Sequence, residues 1–261
     1  MSDQVEALKR ELASLGASPL KALGQNFLVD EYVLSLLEKK IKDLSYKGVV
    51  EIGPGLGALT CFVPSSVPLV LIELDKKFSE YWKAKGFVVL QEDALRLNWD
   101  ALQLPSKTLL LSNLPYQISS SLVVERSMGP QAIDQMLLMF QKEVAQRVMA
   151  SPSTASYGLL SVVAQSAWDV SFVLEAGPSS FYPPPRVASR VLHFQRKKIL
   201  SSDYIQFVKK AFSQRRKYLL KNIPVSGEIL EGLGFSQKVR AEELSPEHFE
   251  ILYEKAKGCD K

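Results

Sequence analysis

The most constraining feature of this sequence is a glycine-rich turn that joins a short apolar run to a helical stretch. Residues 49–60 read Val-Val-Glu-Ile-Gly-Pro-Gly-Leu-Gly-Ala-Leu-Thr, so Gly53, Gly55 and Gly57 follow a run typical of a buried strand. Glycine is needed where a backbone turns tightly or where a Cβ atom would obstruct a ligand. A strand, a glycine turn and a helix in this order predict the first unit of a doubly wound α/β sheet, with a ligand site at its carboxyl edge.

The same alternation of short apolar runs and helical stretches continues along the chain. The apolar runs lie at 49–52, 69–74, 87–90 and 109–111, with a fifth candidate at 136–140. Such runs, with helical stretches between them, predict parallel strands covered on both faces. Alternating segments near 170–175 and 190–195 predict an antiparallel pair at the edge of this sheet.

Helical patterns flank the predicted sheet on both sides in the sequence. Residues 5–15 are amphipathic, and Asp30 is placed to cap a helix that buries Val33, Leu34, Leu37 and Ile41. Beyond residue 199 only helical spacing remains. We therefore expect an α/β domain over 1–198, with an N-terminal arm at 1–30, and a small all-helical domain over 199–261.

Cysteine and histidine usage excludes several kinds of site. The 261-residue chain has two cysteines and two histidines, all far apart, which argues against a metal site, a disulfide framework and a histidine-based nucleophilic triad. No apolar run approaches the roughly 20 residues of a membrane span, so we expect no membrane partner. Because no secretory leader is visible, we expect a cytoplasmic protein, acting as a monomer.

The positive charge of the chain is concentrated in one segment. Residues 196–221 contain nine lysines and arginines and one acid, Asp203, so this segment carries +8 while the whole chain carries +4. The rest of the chain must then carry −4. A local basic stretch is typical of a face that follows phosphate groups, although a solvated helix face gives the same pattern.

The spacing of the glycine turn indicates which cofactor it serves. Dinucleotide sites use G-x-G-x-x-G, whereas this turn is G-x-G-x-G with Glu51 two residues before the first glycine. An acid at that position suits a ligand with a cationic sulfonium and an α-amino group. The turn resembles motif I of the S-adenosylmethionine-dependent methyltransferases.

Two further acids follow at the ends of later apolar runs. Glu73 is placed to accept hydrogen bonds from both ribose hydroxyls of a nucleoside cofactor, and Asp93 to accept one from its adenine amine. A single acid at a strand end is ordinary. The glycine turn and both acids in this order favour S-adenosylmethionine as the cofactor.

The fourth apolar run ends in Asn113-Leu114-Pro115-Tyr116, which suits chemistry on an adenine amine. The exocyclic nitrogen of adenine is a poor nucleophile because its lone pair is delocalised into the ring. The Asn113 side-chain oxygen and the Leu114 carbonyl can accept its two N–H groups, Pro115 restrains that carbonyl, and Tyr116 can stack on the base. A plain turn is the alternative for this tetrapeptide.

No strong base is required for this reaction. The methylated adenine is acidic and can lose its proton to water, so the rate would come from positioning and fixed electrostatics. Because a paired base cannot reach such a pocket, the target adenine must be single-stranded or flipped out.

The order of these motifs resembles the ribosomal RNA adenine N6,N6-dimethyltransferases over nearly the whole chain. Residues 21–28 are similar to an N-terminal signature of that family, which implies that Asn26 and Leu28 touch the cofactor. Residues 181–187 resemble a loop whose phenylalanine, here Phe181, sandwiches the target base against the tyrosine. Residues 212–217 and 240–244 resemble motifs of the family's helical tail.

The resemblance implies a Rossmann-like methyltransferase sheet, a helical RNA-contacting domain and a defined product. That product is N6,N6-dimethyladenosine at two adjacent adenines of a small-subunit ribosomal RNA hairpin loop, made on a partly assembled ribosomal subunit during ribosome biogenesis. The residues expected to contact RNA are basic: Lys21, Arg186, Arg215, Arg216, Lys217 and Lys221.

Two other functions share most of these motifs. One is a methyltransferase acting on adenine of large-subunit ribosomal RNA, against which the tail motifs argue. The other is a largely non-catalytic RNA-binding assembly factor, against which the intact Asn113–Tyr116 motif argues. Leu20 and Tyr218 depart from the family pattern, and both lie among the expected RNA contacts.

Overall fold

The computed structural model describes residues 2–20 and 23–259. Lys21, one of the expected RNA contacts, lies outside them. The strands are β1 Phe27–Leu28, β2 Gly48–Ile52, β3 Leu69–Ile72, β4 Val88–Leu90, β5 Thr108–Asn113, β6 Ile133–Gln141, β7 Trp168–Ala176, β8 Phe181–Tyr182 and β9 Ser189–Arg196. The helices are α1 Ser2–Ser14, α2 Glu31–Asp43, α3 Lys76–Ala84, α4 Ser119–Ser127, α5 Lys142–Val148, α6 Leu159–Ala167, α7 Ser202–Ala211, α8 Gly227–Gly232 and α9 Pro246–Cys259.

Seven strands form one sheet in the order β4-β3-β2-β5-β6-β9-β7. Strands β2 to β6 pair in parallel, and β9 pairs antiparallel with β6. The two short strands β1 and β8 pair separately and antiparallel. This mostly parallel sheet with interleaved helices, and helices only after residue 199, confirms the fold class predicted from the sequence.

The apolar runs of the sequence form strands because the sheet is buried on both faces. Every residue of β2 is buried, and Leu109, Leu110 and Leu111 of β5 are fully inaccessible. One hydrophobic core cluster contains the buried side chains of α2 together with side chains of β2 and β5. Asp30 caps that helix as predicted, since its carboxylate accepts hydrogen bonds from the backbone N–H groups of residues 32 and 33.

The predicted strand at 69–74 is two residues too long. Strand β3 ends at Ile72, because the Glu73 carboxylate accepts the backbone N–H of Asp75 at 2.9 Å. Asp75 in turn caps α3 by accepting the Lys77 N–H at 2.9 Å. These local hydrogen bonds end the strand and leave Glu73 at the carboxyl edge of the sheet.

Contacts between Cα atoms divide the chain into two compact units. The first comprises the described residues up to 122, together with 129–145 and 171–195, and it contains most of the sheet. The second comprises 123–128, 146–170 and the chain from 196 onward. From the sequence, we expected 123–128 and 146–170 to belong to the first domain, with the second domain beginning at residue 199.

The additional segments join the second unit through specific contacts around Trp168. Its indole N–H donates to the Ser127 hydroxyl at 3.0 Å, and the Arg196 guanidinium lies 3.9 Å from its ring centroid. These contacts are between residues far apart in sequence, so helical periodicity alone did not reveal them.

Two negative findings concern the described residues. No helix among residues 2–20 and 23–259 is both long enough and apolar enough to span a bilayer. Within the same ranges, no cluster of three or more histidine, cysteine, aspartate or glutamate side chains could hold a metal ion.

Candidate active site

A cavity of about 960 Å³ lies in the first unit, at the carboxyl ends of β2, β3, β4 and β5. Its walls contain all of the cofactor residues and all of residues 113–116 expected from the sequence. They are Asn26, Leu28, Glu51, Gly53, Gly55, Gly57, Glu73, Asp93, Asn113, Leu114, Pro115 and Tyr116. The structure therefore brings the predicted cofactor motifs and the predicted adenine motif into one cavity.

The glycine turn after β2 is packed against aromatic rings. Gly57 has a φ of +94°, and a Cβ atom there would lie 2.8 Å from the Trp82 ring. Gly55 has a φ of +52°, and a Cβ atom there would lie 3.0 Å from the Phe27 ring. The Trp82 indole N–H also donates to the Gly55 carbonyl at 2.8 Å. Both the backbone angles and the packing thus require glycine.

At Gly53 the backbone angle alone, and not packing, requires glycine. Its φ is +65°, which side chains disfavour, yet a Cβ atom there would meet no atom within 4 Å. Because this residue lines the cavity, the open space lets a ligand approach the backbone closely.

Glu51 is a carboxylic acid at the base of the cavity. It is 2% exposed, and one carboxylate oxygen accepts the Thr60 hydroxyl at 2.7 Å. Burial raises the pKa of Glu51 to about 8; the Thr60 hydrogen bond opposes this rise and the nearby Glu73 adds to it. A bound cation would stabilise the ionised carboxylate of Glu51. The site therefore suits a ligand that carries a sulfonium and an α-amino group.

Glu73 is held in place by the backbone around it. Its two carboxylate oxygens accept the N–H groups of Asp75 at 2.9 Å and Gly55 at 3.3 Å. Burial raises its pKa to about 7, against the effect of these hydrogen bonds. Each carboxylate oxygen can accept a second hydrogen bond, so this orientation fits a pair of ribose hydroxyls.

Asp93 lies in a turn after β4. One carboxylate oxygen accepts the Leu95 N–H at 2.9 Å, and the other lies 3.9 Å from Nε of the exposed Arg96. The first contact fixes the side chain against its own backbone. The carboxylate retains acceptor capacity for an adenine amine.

The side-chain amide of Asn113 has its orientation fixed by one contact. Its Nδ2 donates to the Asn26 carbonyl at 2.9 Å. A carbonyl oxygen only accepts, so the amide nitrogen must be the atom in this contact, and Oδ1 is left to accept hydrogen bonds. This is the atom that the sequence predicted to accept an N–H of adenine.

The residues after Asn113 form a tight turn. The carbonyls of Pro115 and Tyr116 accept the Ile118 N–H at 3.2 Å and the Ser119 hydroxyl at 3.0 Å. The Tyr116 hydroxyl lies 3.0 Å from Oγ of Ser189, and burial raises its pKa. The ring is therefore anchored at its polar end and carries a neutral hydroxyl.

Phe181, the residue expected to stack on the target base, lies in the core of the first unit. It is 3% exposed, pairs with Leu28 in the β1–β8 ladder and belongs to the core cluster of the first unit. It is not among the cavity-lining residues of the described chain. In this conformation its ring packs in the core, and stacking on a base would require it to leave that core.

The expected RNA contacts in the described chain all have exposed side chains, and Arg215 among them also makes side-chain hydrogen bonds. Arg215 donates from Nε to the Glu242 carboxylate at 2.5 Å and from a terminal nitrogen to the Ala155 carbonyl at 2.9 Å. It therefore stabilises the second unit internally. The other expected contacts in the described chain have exposed side chains: Arg186, Arg216, Lys217 and Lys221.

The N-terminal helix contributes to the cavity in a way that the sequence did not predict. Gln4, Leu8 and Glu11 of α1 line it. The Glu11 carboxylate accepts the Tyr81 hydroxyl at 2.7 Å, and Gln4 donates to Glu31 at 2.6 Å. The amphipathic spacing of residues 5–15 indicated that this helix packs, but no sequence signal specified its position.

We expect Gly57→Ala to lower the affinity for S-adenosylmethionine by more than tenfold. The added methyl would displace Trp82 and with it the hydrogen bond to Gly55. Isothermal titration calorimetry of each variant measures this. The matched control is Gly86→Ala, whose φ of +85° imposes similar strain in open space; equal losses in both variants would contradict the role of the Trp82 contact.

We expect the ligand-free protein to lose stability as pH rises from about 4.5 to about 8. The folded state holds a proton on Glu51 up to a pKa of about 8, whereas the unfolded state releases it near 4.5. The unfolded state thus binds fewer protons in this window, and the free energy of unfolding falls with pH. Urea unfolding across this pH range measures the slope.

Glu51→Gln should remove the part of this slope between pH 7 and 8, above the raised pKa of Glu73. Saturating S-adenosylmethionine should weaken the slope in the parent protein, because the cation favours the ionised acid. An unchanged slope in Glu51→Gln would contradict a protonated Glu51.

Comparisons with known proteins identify the family of this chain. The family model described as ribosomal RNA adenine dimethylase matches residues 18–257. A ribosomal RNA small subunit methyltransferase A from Bdellovibrio bacteriovorus is 44% identical, with 97% of this chain and 98% of the relative covered. The protein of the same name from Shewanella oneidensis is 37% identical, with 95% and 97% covered.

Solved structures show the same fold. A dimethyladenosine transferase from Plasmodium falciparum has a TM-score of 0.72 and 24% identity, with 88% of this chain and 98% of that chain covered. The 23S rRNA methyltransferase ErmE has a TM-score of 0.65 and 21% identity, with 89% and 100% covered. The chain belongs to the ribosomal RNA adenine dimethylase family, which confirms the enzyme class and the S-adenosylmethionine cofactor predicted from its motifs.

Proposed function

We propose that this protein transfers methyl groups from S-adenosylmethionine to N6 of two adjacent adenines in a hairpin loop of small-subunit ribosomal RNA. The product is N6,N6-dimethyladenosine. The observation that carries this proposal is the position of Asn113 in the cofactor cavity, with Nδ2 bonded to Asn26 and Oδ1 left as an acceptor. The curated relatives are named for the small subunit, which favours it over the large subunit.

The residues of the chain support this reaction by positioning. Bound S-adenosylmethionine supplies an electrophilic methyl group on its sulfonium. In the first transfer, Oδ1 of Asn113 and the Leu114 carbonyl accept the two N6 hydrogens, which directs the nitrogen lone pair out of the ring plane. In the second transfer, one of these acceptors takes the single remaining N6 hydrogen. Tyr116 stacks on the base with its hydroxyl anchored on Ser189. The proton of the product leaves to water.

The proposal also includes the substrate particle, the cellular compartment, the oligomeric state and the RNA contacts. The substrate is ribosomal RNA within a partly assembled small subunit in the cytoplasm, and the enzyme acts as a monomer. The helical segment 199–261 supplies RNA contacts through exposed cations, among them Arg216, Lys217 and Lys221. Arg186 supplies one from the loop before β9.

We expect Asn113→Ala to lower kcat by about a hundredfold or more while leaving the affinity for RNA within about twofold. The variant removes Oδ1, the proposed acceptor for the reacting amine, together with the Nδ2 contact to Asn26. Removing one oriented acceptor typically has this effect on rate. Methyl transfer to a small-subunit hairpin RNA, followed by mass spectrometry of the nucleosides, measures the rate. Anisotropy with labelled RNA measures binding.

A large-subunit hairpin RNA serves as the substrate control for this experiment. Methylation of that RNA alone would overturn the choice of substrate. Full activity of Asn113→Ala on the small-subunit RNA would overturn the role of the side chain.

We expect Arg216→Gln/Lys217→Gln to weaken RNA binding and to reduce the slope of log affinity against log salt by about 1.5, since each lost phosphate contact removes roughly 0.7–0.9. Arg215→Gln should instead lower the stability of the protein, because its guanidinium bridges Glu242 and Ala155. The double variant Lys39→Gln/Lys47→Gln, with the same change of charge at two exposed positions, should leave the slope unchanged. Equal slopes in both double variants would contradict the assignment.

A further inference from the structure

An exposed aromatic ring and two cations meet on the outer strands of the first unit. We call this the Phe172 surface; it consists of Lys142, Phe172, Glu175 and Arg190. Phe172 lies on β7, the edge strand of the sheet, and is 49% exposed. None of these residues belongs to the cavity or to the RNA contacts expected from the sequence.

The two cations are held by one carboxylate. Glu175 accepts Nζ of Lys142 at 2.9 Å and Nε of Arg190 at 2.7 Å. The hydrogen bond from Lys142 and then that from Arg190 lower the pKa of Glu175, so it stays ionised at neutral pH. The three groups together carry one net positive charge. The bond at Nε leaves both terminal nitrogens of the guanidinium to donate to another anion.

The Arg190 guanidinium also contacts the Phe172 ring. Its central carbon lies 5.6 Å from the Phe172 ring centroid, within the range of a cation–π contact. About half of the Phe172 ring is open to solvent, so a planar group can still reach one part of it. A ring held by a cation and open to solvent is the arrangement on which an unpaired base stacks, while the cations bind its phosphate.

Lys142 and Arg190 of this surface lie at the end of the sheet where the adenine motif lies. Arg190 directly follows Ser189, whose Oγ lies 3.0 Å from the Tyr116 hydroxyl. The backbone N–H of Lys142 donates to the Ala188 carbonyl at 2.9 Å. Strand β6 ends just before Lys142, and Met139 in that strand is the register partner of Asn113. Arg190 and Ser189 are neighbours at the start of β9, and their side chains point to opposite faces of the sheet. RNA with its adenine on Tyr116 would therefore reach the Phe172 surface by passing over this end of the sheet.

We propose that the Phe172 surface binds a single-stranded nucleotide that flanks the target adenines, with its base stacked on Phe172 and its phosphate bound by Arg190 and Lys142. This inference rests on the proposed function, because it takes the RNA substrate as the partner. It extends the RNA contacts from the helical segment to the catalytic unit. The surface would govern the affinity for RNA and not the chemical step.

The test uses the full-length protein and a small-subunit hairpin RNA with 2-aminopurine beside the target adenines. Phe172→Leu should raise the KM for RNA roughly tenfold, the effect of losing one base stack, with kcat within twofold. It should also abolish the quenching of 2-aminopurine fluorescence on binding. Arg190→Lys keeps the charge but loses the planar group over the ring, and it should show an intermediate KM and weaker quenching.

The matched control is Tyr32→Leu, which removes another exposed aromatic ring, 72% exposed on α2. It should leave KM and quenching unchanged. Thermal unfolding of each variant confirms that it is folded, and Phe172→Leu is expected to be so because half of the ring is already in water.

Three outcomes would decide against the proposal. If the parent protein methylates the RNA but Phe172→Leu has unchanged KM and quenching, the surface does not bind RNA while the proposed function stands. If Phe172→Leu weakens binding to small ribosomal subunits but not to RNA, the partner is a protein and the proposal is overturned. If the parent protein methylates no RNA, the proposed function fails first, and the inference fails with it.

Discussion

Parallel pairing of β2 with both of its neighbours is the constraint on which the site depends. Val50 pairs with Val70 of β3 and with Leu110 of β5, so the three strands run in register and end at one edge. Each strand end carries one functional segment: the glycine turn, Glu73, and the turn that begins at Asn113. Residues that are far apart in sequence thus meet because parallel strands share a direction. No local interaction could bring them together.

Burial gives the cavity its chemical character before any ligand binds. Glu51 and Glu73 both carry pKa values raised by desolvation, to about 8 and about 7. Burial makes ionisation of either acid unfavourable, and a cationic ligand would favour the ionised form. The glycine turn keeps side chains out of the space between them. Selectivity for a charged methyl donor over a pyrophosphate cofactor follows from the same groups.

Much of the fold and of the cavity could be predicted, because the motifs act through local geometry. A glycine turn after a strand, an acid at a strand end and Asp30 before α2 each have their position set by neighbouring residues. The sequence did not indicate the contacts that a side chain makes with a distant partner. Phe181 is the strand partner of Leu28 in the β1–β8 pair, and Arg215 is bound by Glu242 and Ala155. A motif identifies the residue type, but it does not specify whether packing or a ligand accounts for it.

The hydrogen bond from Asn113 to Asn26 connects two parts of the cavity. Asn26 belongs to the N-terminal arm that lines the cofactor cavity, and Oδ1 of the same Asn113 amide is the proposed acceptor for adenine. Under that proposal, one side chain contacts both the arm beside the cofactor and the reacting base. Any effect of a bound cofactor on the affinity for adenine would then equal the effect of adenine on the affinity for the cofactor, because thermodynamic linkage is reciprocal.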